Sequence, residues 1–365
     1  MAAQPKLELQ LPDTGTSASV QRPARKRLVC RTDRDYSQQL RLGVQLAFLA
    51  LNVWIGVQFY FWVRWAETAG HTRAVERPAG IEGWLPIAGL MQLKYVALTR
   101  QWPAIDLAGL FLITAFLLMS LLFRKAFCGW LCPVGTLSEW LWKLGRCTFR
   151  RNFILPRWLD VPLRGIKYLL LAFFGYAVAT MSAPAIAAFL SAPYGLIVDV
   201  RMLNFFRYLG ETAAFVILGL IIASIFVQNL WCRYLCPYGA LMGLAALASP
   251  LRIRRVEPAC IDCAKCAKAC PAALPVDKLV QIRSAECTGC LECVAACPAK
   301  DALVLAAPRR RAVPAWSMAA GIAVLFFGLV GYAKVTGHWN TRLPQQLYFE
   351  LVSHASEAQH PVVAE

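Results

Sequence analysis

The sequence predicts a polytopic α-helical membrane protein of about five transmembrane helices, with a small α+β module inserted before the last of them. Three observations predict it: apolar stretches long enough to cross a bilayer, a lopsided spread of basic residues between them, and a dense run of cysteines in one connection. Of 365 residues, 58% are apolar and 16% charged. A soluble domain is about half apolar and about a quarter charged. Such an oily composition excludes a disordered chain.

Crossing the hydrocarbon as a helix takes about 20 mostly apolar residues. Five stretches qualify: Leu42 to Val63, Ala104 to Phe123, Gly165 to Ala183, Glu211 to Leu230 and Ala315 to Ala333. Two others, Ile81 to Ala97 with Pro86 and Ala183 to Val198 with Pro184 and Pro193, are expected to be interfacial or re-entrant. Proline breaks a backbone ladder that lipid cannot repair. Asp106, Lys167 and Glu211 fall at span ends, where solvation or snorkelling explains a charge. Gln45, Asn52 and Gln58 share roughly one face of the first span, as interhelical hydrogen-bonding groups or as the rim of a quinone pocket.

The net charge is +17. Counted over alternate connections and the adjoining span ends, 29 Lys and Arg fall on one side and 9 on the other. The positive-inside rule places the 29 in the cytoplasm. The N terminus and the cysteine-rich connection are thus expected inside and the C terminus outside. The first 35 residues hold no apolar signal core, and the arm with Arg22, Arg25, Lys26 and Arg27 is expected to touch anionic lipid rather than nucleic acid.

Eight of the 14 cysteines lie between Cys260 and Cys297. They form two runs, Cys260-x₂-Cys263-x₂-Cys266-x₃-Cys270-Pro271 and Cys287-x₂-Cys290-x₂-Cys293-x₃-Cys297-Pro298. This is the bacterial ferredoxin spacing, in which the fourth cysteine of each run ligates the other cluster. One [4Fe–4S] cluster is therefore assigned to Cys260, Cys263, Cys266 and Cys297, and a second to Cys287, Cys290, Cys293 and Cys270. Zinc sites use separated cysteine pairs, and disulfides do not persist in a reducing cytoplasm.

A second cysteine pattern occurs twice, 104 positions apart: Phe127-Cys128-Gly-Trp-Leu-Cys132-Pro133-Val-Gly135 and Trp231-Cys232-Arg-Tyr-Leu-Cys236-Pro237-Tyr-Gly239. Each closes a unit of two spans, so residues 42–140 and 165–245 read as an internal duplication. Cysteines four apart share a helical face. Brought together, Cys128, Cys132, Cys232 and Cys236 would make a Cys₄ set for a third iron–sulfur cluster. A thiol-exchange or soft-metal site such as Cu(I) and a purely structural interface stay open as alternatives. Cys30 and Cys147 fit neither pattern and read as free thiols.

The absences narrow the function. The four histidines, His71, His338, His354 and His360, all fall outside the spans, so the chain supplies no bilayer haem ligand. No C-x-x-C-H, P-loop or G-x-G-x-x-G is present.

At these residues the chain resembles the bacterial membrane polyferredoxins: the NapH-type quinol dehydrogenase subunits, the NosR-type proteins and the CcoG-type proteins of oxidase assembly. The resemblance rests on Cys128/Cys132-Pro133, Cys232/Cys236-Pro237 and the two runs from Cys260 to Pro298, and covers roughly residues 40–305. The chain departs from NosR-type proteins in lacking a large N-terminal domain and from CcoG-type proteins in having only 32 residues after its last span.

The resemblance implies an electron carrier of the bacterial inner membrane, moving electrons between the quinol pool or a cytoplasmic donor and a respiratory reductase system. Its partners would be respiratory redox proteins and quinone. The alternative is a maturation factor that reduces or hands over copper during assembly of a respiratory enzyme; a redox-sensing anchor is the third reading. The expected organisation is a basic arm (1–41), a duplicated four-helix membrane core (42–250), a two-cluster ferredoxin-like module (251–314), a fifth span (315–333) and a periplasmic tail (334–365).

Overall fold

The computed structural model describes residues 29–31, 35–103, 105, 107–150, 152–153, 155–308, 311–341 and 343–361. The basic arm with Arg22, Arg25, Lys26 and Arg27, and Asp106, lie outside the described residues.

Helix α1 (Ser37–Glu67) has 31 residues, so it is about 46 Å long at 1.5 Å per residue. The hydrocarbon core is only about 30 Å thick. Its two ends are buried in protein, Ser37, Arg41 and Gln45 at one and Phe59, Trp62, Val63 and Ala66 at the other. The stretch between exposes Leu46, Leu51, Val53, Trp54 and Val57. An apolar helix exposed in its middle and buried at its ends suits lipid around its waist.

A 3₁₀ turn (Ala79–Trp84) leads into α2 (Pro86–Thr99), with Pro86 in its first turn. Pro86 therefore begins a helix rather than interrupting one, because the N–H it lacks has no partner there. Helix α3 (Leu107–Leu122) has 16 residues, ten of them buried. It is the hub of the bundle and packs on α2 and on two later helices, α10 (Pro237–Leu247) and α13 (Ala315–Val335). Helix α4 (Pro133–Phe149) follows. Helix α5 (Arg157–Thr180) is tied to α2 by Lys94, whose Nζ donates to the carbonyls of Val178 and Ala179 near the α5 C-terminus.

Helix α6 (Ala183–Ser191) again carries a proline, Pro184, in its first turn, and α7 (Pro193–Leu196) begins at one. Helix α8 (Val198–Arg207) meets α9 (Glu211–Phe226) at an 83° bend. Helix α10 (Pro237–Leu247) packs on α3 and α5, and α4 packs on α9. At Gly145 of α4 an added Cβ would stand 1.9 Å from the Ile225 carbonyl of α9, so only glycine permits this approach.

Strand β1 (Arg252–Arg255) pairs antiparallel with β2 (Leu303–Ala306), Arg252 opposite Ala306 and Arg255 opposite Leu303. The pair closes a module holding two short helices, α11 (Lys265–Ala269) and α12 (Glu292–Ala295). Cys30 bridges to Ala299, and the Lys300 N–H donates to the Val29 carbonyl. Helix α13 (Ala315–Val335) returns alongside α1 and α3, and α14 (Gln345–Ser353) packs on the far end of α1.

Three helices, α1, α5 and α13, are long and apolar enough to cross a membrane, and the bent α8–α9 pair makes a fourth if it counts as one span. Helix α3 was expected among five spans, but at 16 residues it is shorter and apolar all round. Such a helix is what a bundle centre requires. Lys167, expected to snorkel, is fully buried and paired with Glu286 at 2.6 Å. Gln45 and Gln58 do bond outside their helix, to Gly129 and Glu139 and to Glu76, whereas Asn52 bonds to its own helix at Phe48.

Candidate functional site

Both C-x₃-C-P elements fold alike. A single π-helical turn, Phe127–Leu131 or Trp231–Leu235, ends in an extended cysteine, Cys132 or Cys236. That cysteine is the N-cap of the next helix, which starts at Pro133 or Pro237. The Cys132 N–H donates to the Phe127 carbonyl at 2.8 Å and the Cys236 N–H to the Trp231 carbonyl at 3.0 Å. The wide turn aims both thiols of a pair inward; single π turns recur at functional sites. The following glycines allow close approach. A Cβ on Gly135 would stand 2.5 Å from the Cys128 carbonyl, and the Gly239 N–H donates to Cys236 Sγ at 3.2 Å.

The tertiary structure brings the two elements together. Cys128, Cys132, Cys232 and Cys236 line one cavity of about 70 Å³, with Lys125, Tyr238 and Glu286 in its wall. Burial pushes the Cys128 thiol up to about 12 and the Cys132 thiol to about 11, and the neighbouring thiolates push in the same direction. Lys125 pulls both down. Ligation of a metal centre by Cys128 and Cys132 would therefore release protons.

The ferredoxin-spaced cysteines line two further cavities. Cys270, Cys287, Cys290 and Cys293 surround one, and Cys260, Cys263, Cys266 and Cys297 the other. The loops repeat one conformation: Asp262 and Ala264 in the first run, and Gly289 and Leu291 in the second, are all left-handed. Such bends turn backbone N–H groups toward sulfur, as Ala267 does to Cys266 and Glu292 to Cys290. Cys270, Cys290 and Cys293 are buried, while Cys263 is exposed.

The three cavities form a row. Pro271, Ala272, Thr288 and Cys290 line both the middle cavity and the C-x₃-C-P cavity. On its other side the middle set meets the outer one, with Cys293 facing Cys266. A four-thiol donor set with backbone N–H groups directed at sulfur fits a [4Fe–4S] cluster in each. Among the described residues, no three His, Cys, Asp or Glu side chains converge on a single ion.

Two charge networks that the sequence did not single out join the module to the helices. Arg41 of α1 donates to Glu139 of α4 at 2.9 Å, to Glu292 of α12 at 2.8 Å and to the Gly129 carbonyl at 3.2 Å. Lys143 bonds to both carboxylates. Burial raises the Glu139 carboxyl, but Arg41 and Lys143 outweigh it and hold the group at about 2. In the second network Lys167 and Tyr168 of α5 bond to Glu286 of the module. The i,i+4 spacing of Glu139 and Lys143 was the one visible signal; the partner across the fold was not.

Of the remaining sequence candidates, Cys30 and Cys147 are exposed. His338 stacks on Trp102 at 4.8 Å, and His360 lies against Phe189 and Tyr194.

The chain belongs to the membrane-associated 4Fe–4S polyferredoxins. A 4Fe-4S binding domain model matches twice, at residues 105–153 and 209–255, and a 4Fe-4S dicluster domain model at 252–298. The first matches enclose the two C-x₃-C-P elements. Among curated relatives, the chain is 49% identical to "Putative electron transport protein YccM" of Escherichia coli (strain K12), over 88% of this chain and 91% of that protein. It is 33% identical to "Regulatory protein NosR" of Pseudomonas aeruginosa over 44% of this chain and 22% of that one. It is 26% identical to "Ferredoxin-type protein NapH" of E. coli over 50% and 59%. The chain thus spans only part of the NosR and NapH relatives. No solved structure matches it.

Proposed function

We propose that the chain is a membrane-bound electron carrier that relays single electrons through three [4Fe–4S] clusters, from a donor at the exposed face of its module to the membrane surface. The ligands are Cys260, Cys263, Cys266 and Cys297 for the outer cluster and Cys287, Cys290, Cys293 and Cys270 for the middle one. Cys128, Cys132, Cys232 and Cys236 hold the third. The observation that carries this reading is the row of three four-cysteine cavities, the middle one sharing Cys290 and three neighbours with the membrane-side one. The name carried by the YccM relative supports it.

When bound, the clusters supply the one-electron chemistry. The protein's own residues hold the thiolates, direct N–H groups at sulfur and exclude water from the middle set, where Cys270, Cys290 and Cys293 are buried. Cys263 remains exposed, which gives a donor its point of approach. With α3 and the α8–α9 pair counted with α1, α5 and α13, the chain crosses a bacterial inner membrane five times. The N-terminal arm and the module then lie in the cytoplasm and the tail in the periplasm. The acceptor is a quinone or a respiratory redox protein.

Iron counting tests the proposal. Purified chain should hold about 12 irons, and Cys128→Ser with Cys132→Ser should lower this to about 8. About 8 in the unaltered chain would remove the third cluster.

A further inference from the structure

Lys125 sits in the wall of the C-x₃-C-P cavity and is 3% exposed. It follows Arg124, which is left-handed and locked at that turn. The Arg124 N–H donates to Ser249 Oγ at 3.0 Å and its guanidinium to the Ser284 carbonyl at 2.8 Å. The turn therefore aims the next side chain inward by fixed backbone geometry. Lys125 Nζ comes within 3.6 Å of the place a Cβ would take on Gly239, whose N–H bonds to Cys236. It also acts electrostatically on Cys128, Cys132 and Cys232.

Four other cations facing the cysteine cavities have carboxylate contacts. Arg41, facing Cys290, is held by Glu139 and Glu292. Arg255, facing Cys260, is held by Glu257 and Asp262, and Arg31, facing Cys297, by Asp35. Lys167 is held by Glu286. Lys125 makes no hydrogen bond or contact ion pair among the described residues; Glu286 feels its charge, but the carboxylate oxygens bond to Lys167 and Tyr168. Lys125 and Lys167 thus share one carboxylate, Glu286, which leaves one positive charge in surplus. A buried surplus charge is costly, so this position calls for a further anion in the cavity. Four thiolates around a [4Fe–4S] core are such an anion, and reduction makes it more negative.

We propose that Lys125 is the internal counter-cation of the cluster bound by Cys128, Cys132, Cys232 and Cys236, and that its positive charge holds that cluster's reduction potential above those of the other two. The inference rests on the three-cluster reading. Its consequence is direction: one electron leaves the middle cluster, which is oxidised, and the membrane-side cluster is reduced, with no bond made or broken. An external one-electron reductant, dithionite in the test, supplies the electron at the module.

The test is a redox titration of the full chain in detergent, followed by electron paramagnetic resonance, with iron counted on each sample. Lys125→Met should lower one midpoint by at least tenfold in the reduction equilibrium, about 59 mV for a one-electron couple, and leave the other two unmoved. Lys125→Arg, which keeps the charge, should hold that midpoint near its original value. Loss of about four irons in the Met variant but not in the Arg variant also supports the proposal. Three unmoved midpoints in a fully loaded Met variant overturn it, as does loss of iron in both variants. About 8 irons in the unaltered chain refutes the underlying reading instead.

Discussion

Replacing Arg41 with Met isolates the joint between α1, α4 and the module. The guanidinium is 3% exposed and pairs with Glu139 and Glu292, whose side chains are 9% and 13% exposed. Without Arg41 the two carboxylates share Lys143 alone, leaving one buried negative charge in surplus. Breaking a buried pair in this way costs about 3–5 kcal/mol. The carboxylate side gives a similar figure. Glu139 is held at about 2 against an ordinary 4.5, a depression worth about 3 kcal/mol at 1.36 kcal/mol per unit. The sign follows from a lowered carboxyl. This stabilisation is fully present above pH 4.5 and is lost as pH falls from there through 2.

Because the site includes acid-labile clusters, Glu139→Gln at neutral pH is the practical mimic of protonation. Each single variant should accelerate amide exchange in the module around α12 by about 100-fold, the equivalent of about 3 kcal/mol. The double variant Arg41→Met with Glu139→Gln should recover part of that loss, since fewer uncompensated charges remain. Exchange unchanged within about threefold in both single variants, or strictly additive losses in the double, would refute the view that this ion cluster clamps the module to the helices.

Other expectations are as direct. Gly145→Ala forces α4 away from the Ile225 carbonyl of α9, and should cost about 1–3 kcal/mol, read as a fall in thermal midpoint in detergent. Gly219→Ala on α9 meets no atom within 4 Å and should be neutral or stabilising by up to about 1 kcal/mol. Glu286→Gln leaves Lys167 buried without a counter-charge and should cost about 3–5 kcal/mol; urea midpoints check it, and an unchanged midpoint would show the pair to be dispensable. Gly135→Val drives a side chain into the Cys128 carbonyl and should lower iron by about four per chain, while a Cys147→Ser control leaves it unchanged.

Much of the site was legible because cluster-binding spacing is local. A C-x₂-C-x₂-C loop must bend at two positions to wrap one centre, and Asp262, Ala264, Gly289 and Leu291 make those bends within each run. The surroundings of each helix were less legible. Hydropathy registers how apolar a segment is, not whether lipid or protein surrounds it, so the burial of ten α3 residues at the bundle centre left no mark in the sequence. Lys167 misled for a related reason. Its position predicts snorkelling, and its partner Glu286 lies 119 residues away.

By itself, the sequence determined the helical membrane character, the ferredoxin-type runs and the duplicated C-x₃-C-P elements. Each depends on composition or on contacts only a few residues apart. The tertiary structure decided what those elements do together. It placed two thiol pairs, 104 residues apart in sequence, around one cavity and aligned that cavity with the module through Cys290. It also left Lys125 buried against the thiols with its nearest carboxylate engaged elsewhere. Long-range charge pairing and cavity formation depend on which helix faces meet, and no local pattern encodes that choice.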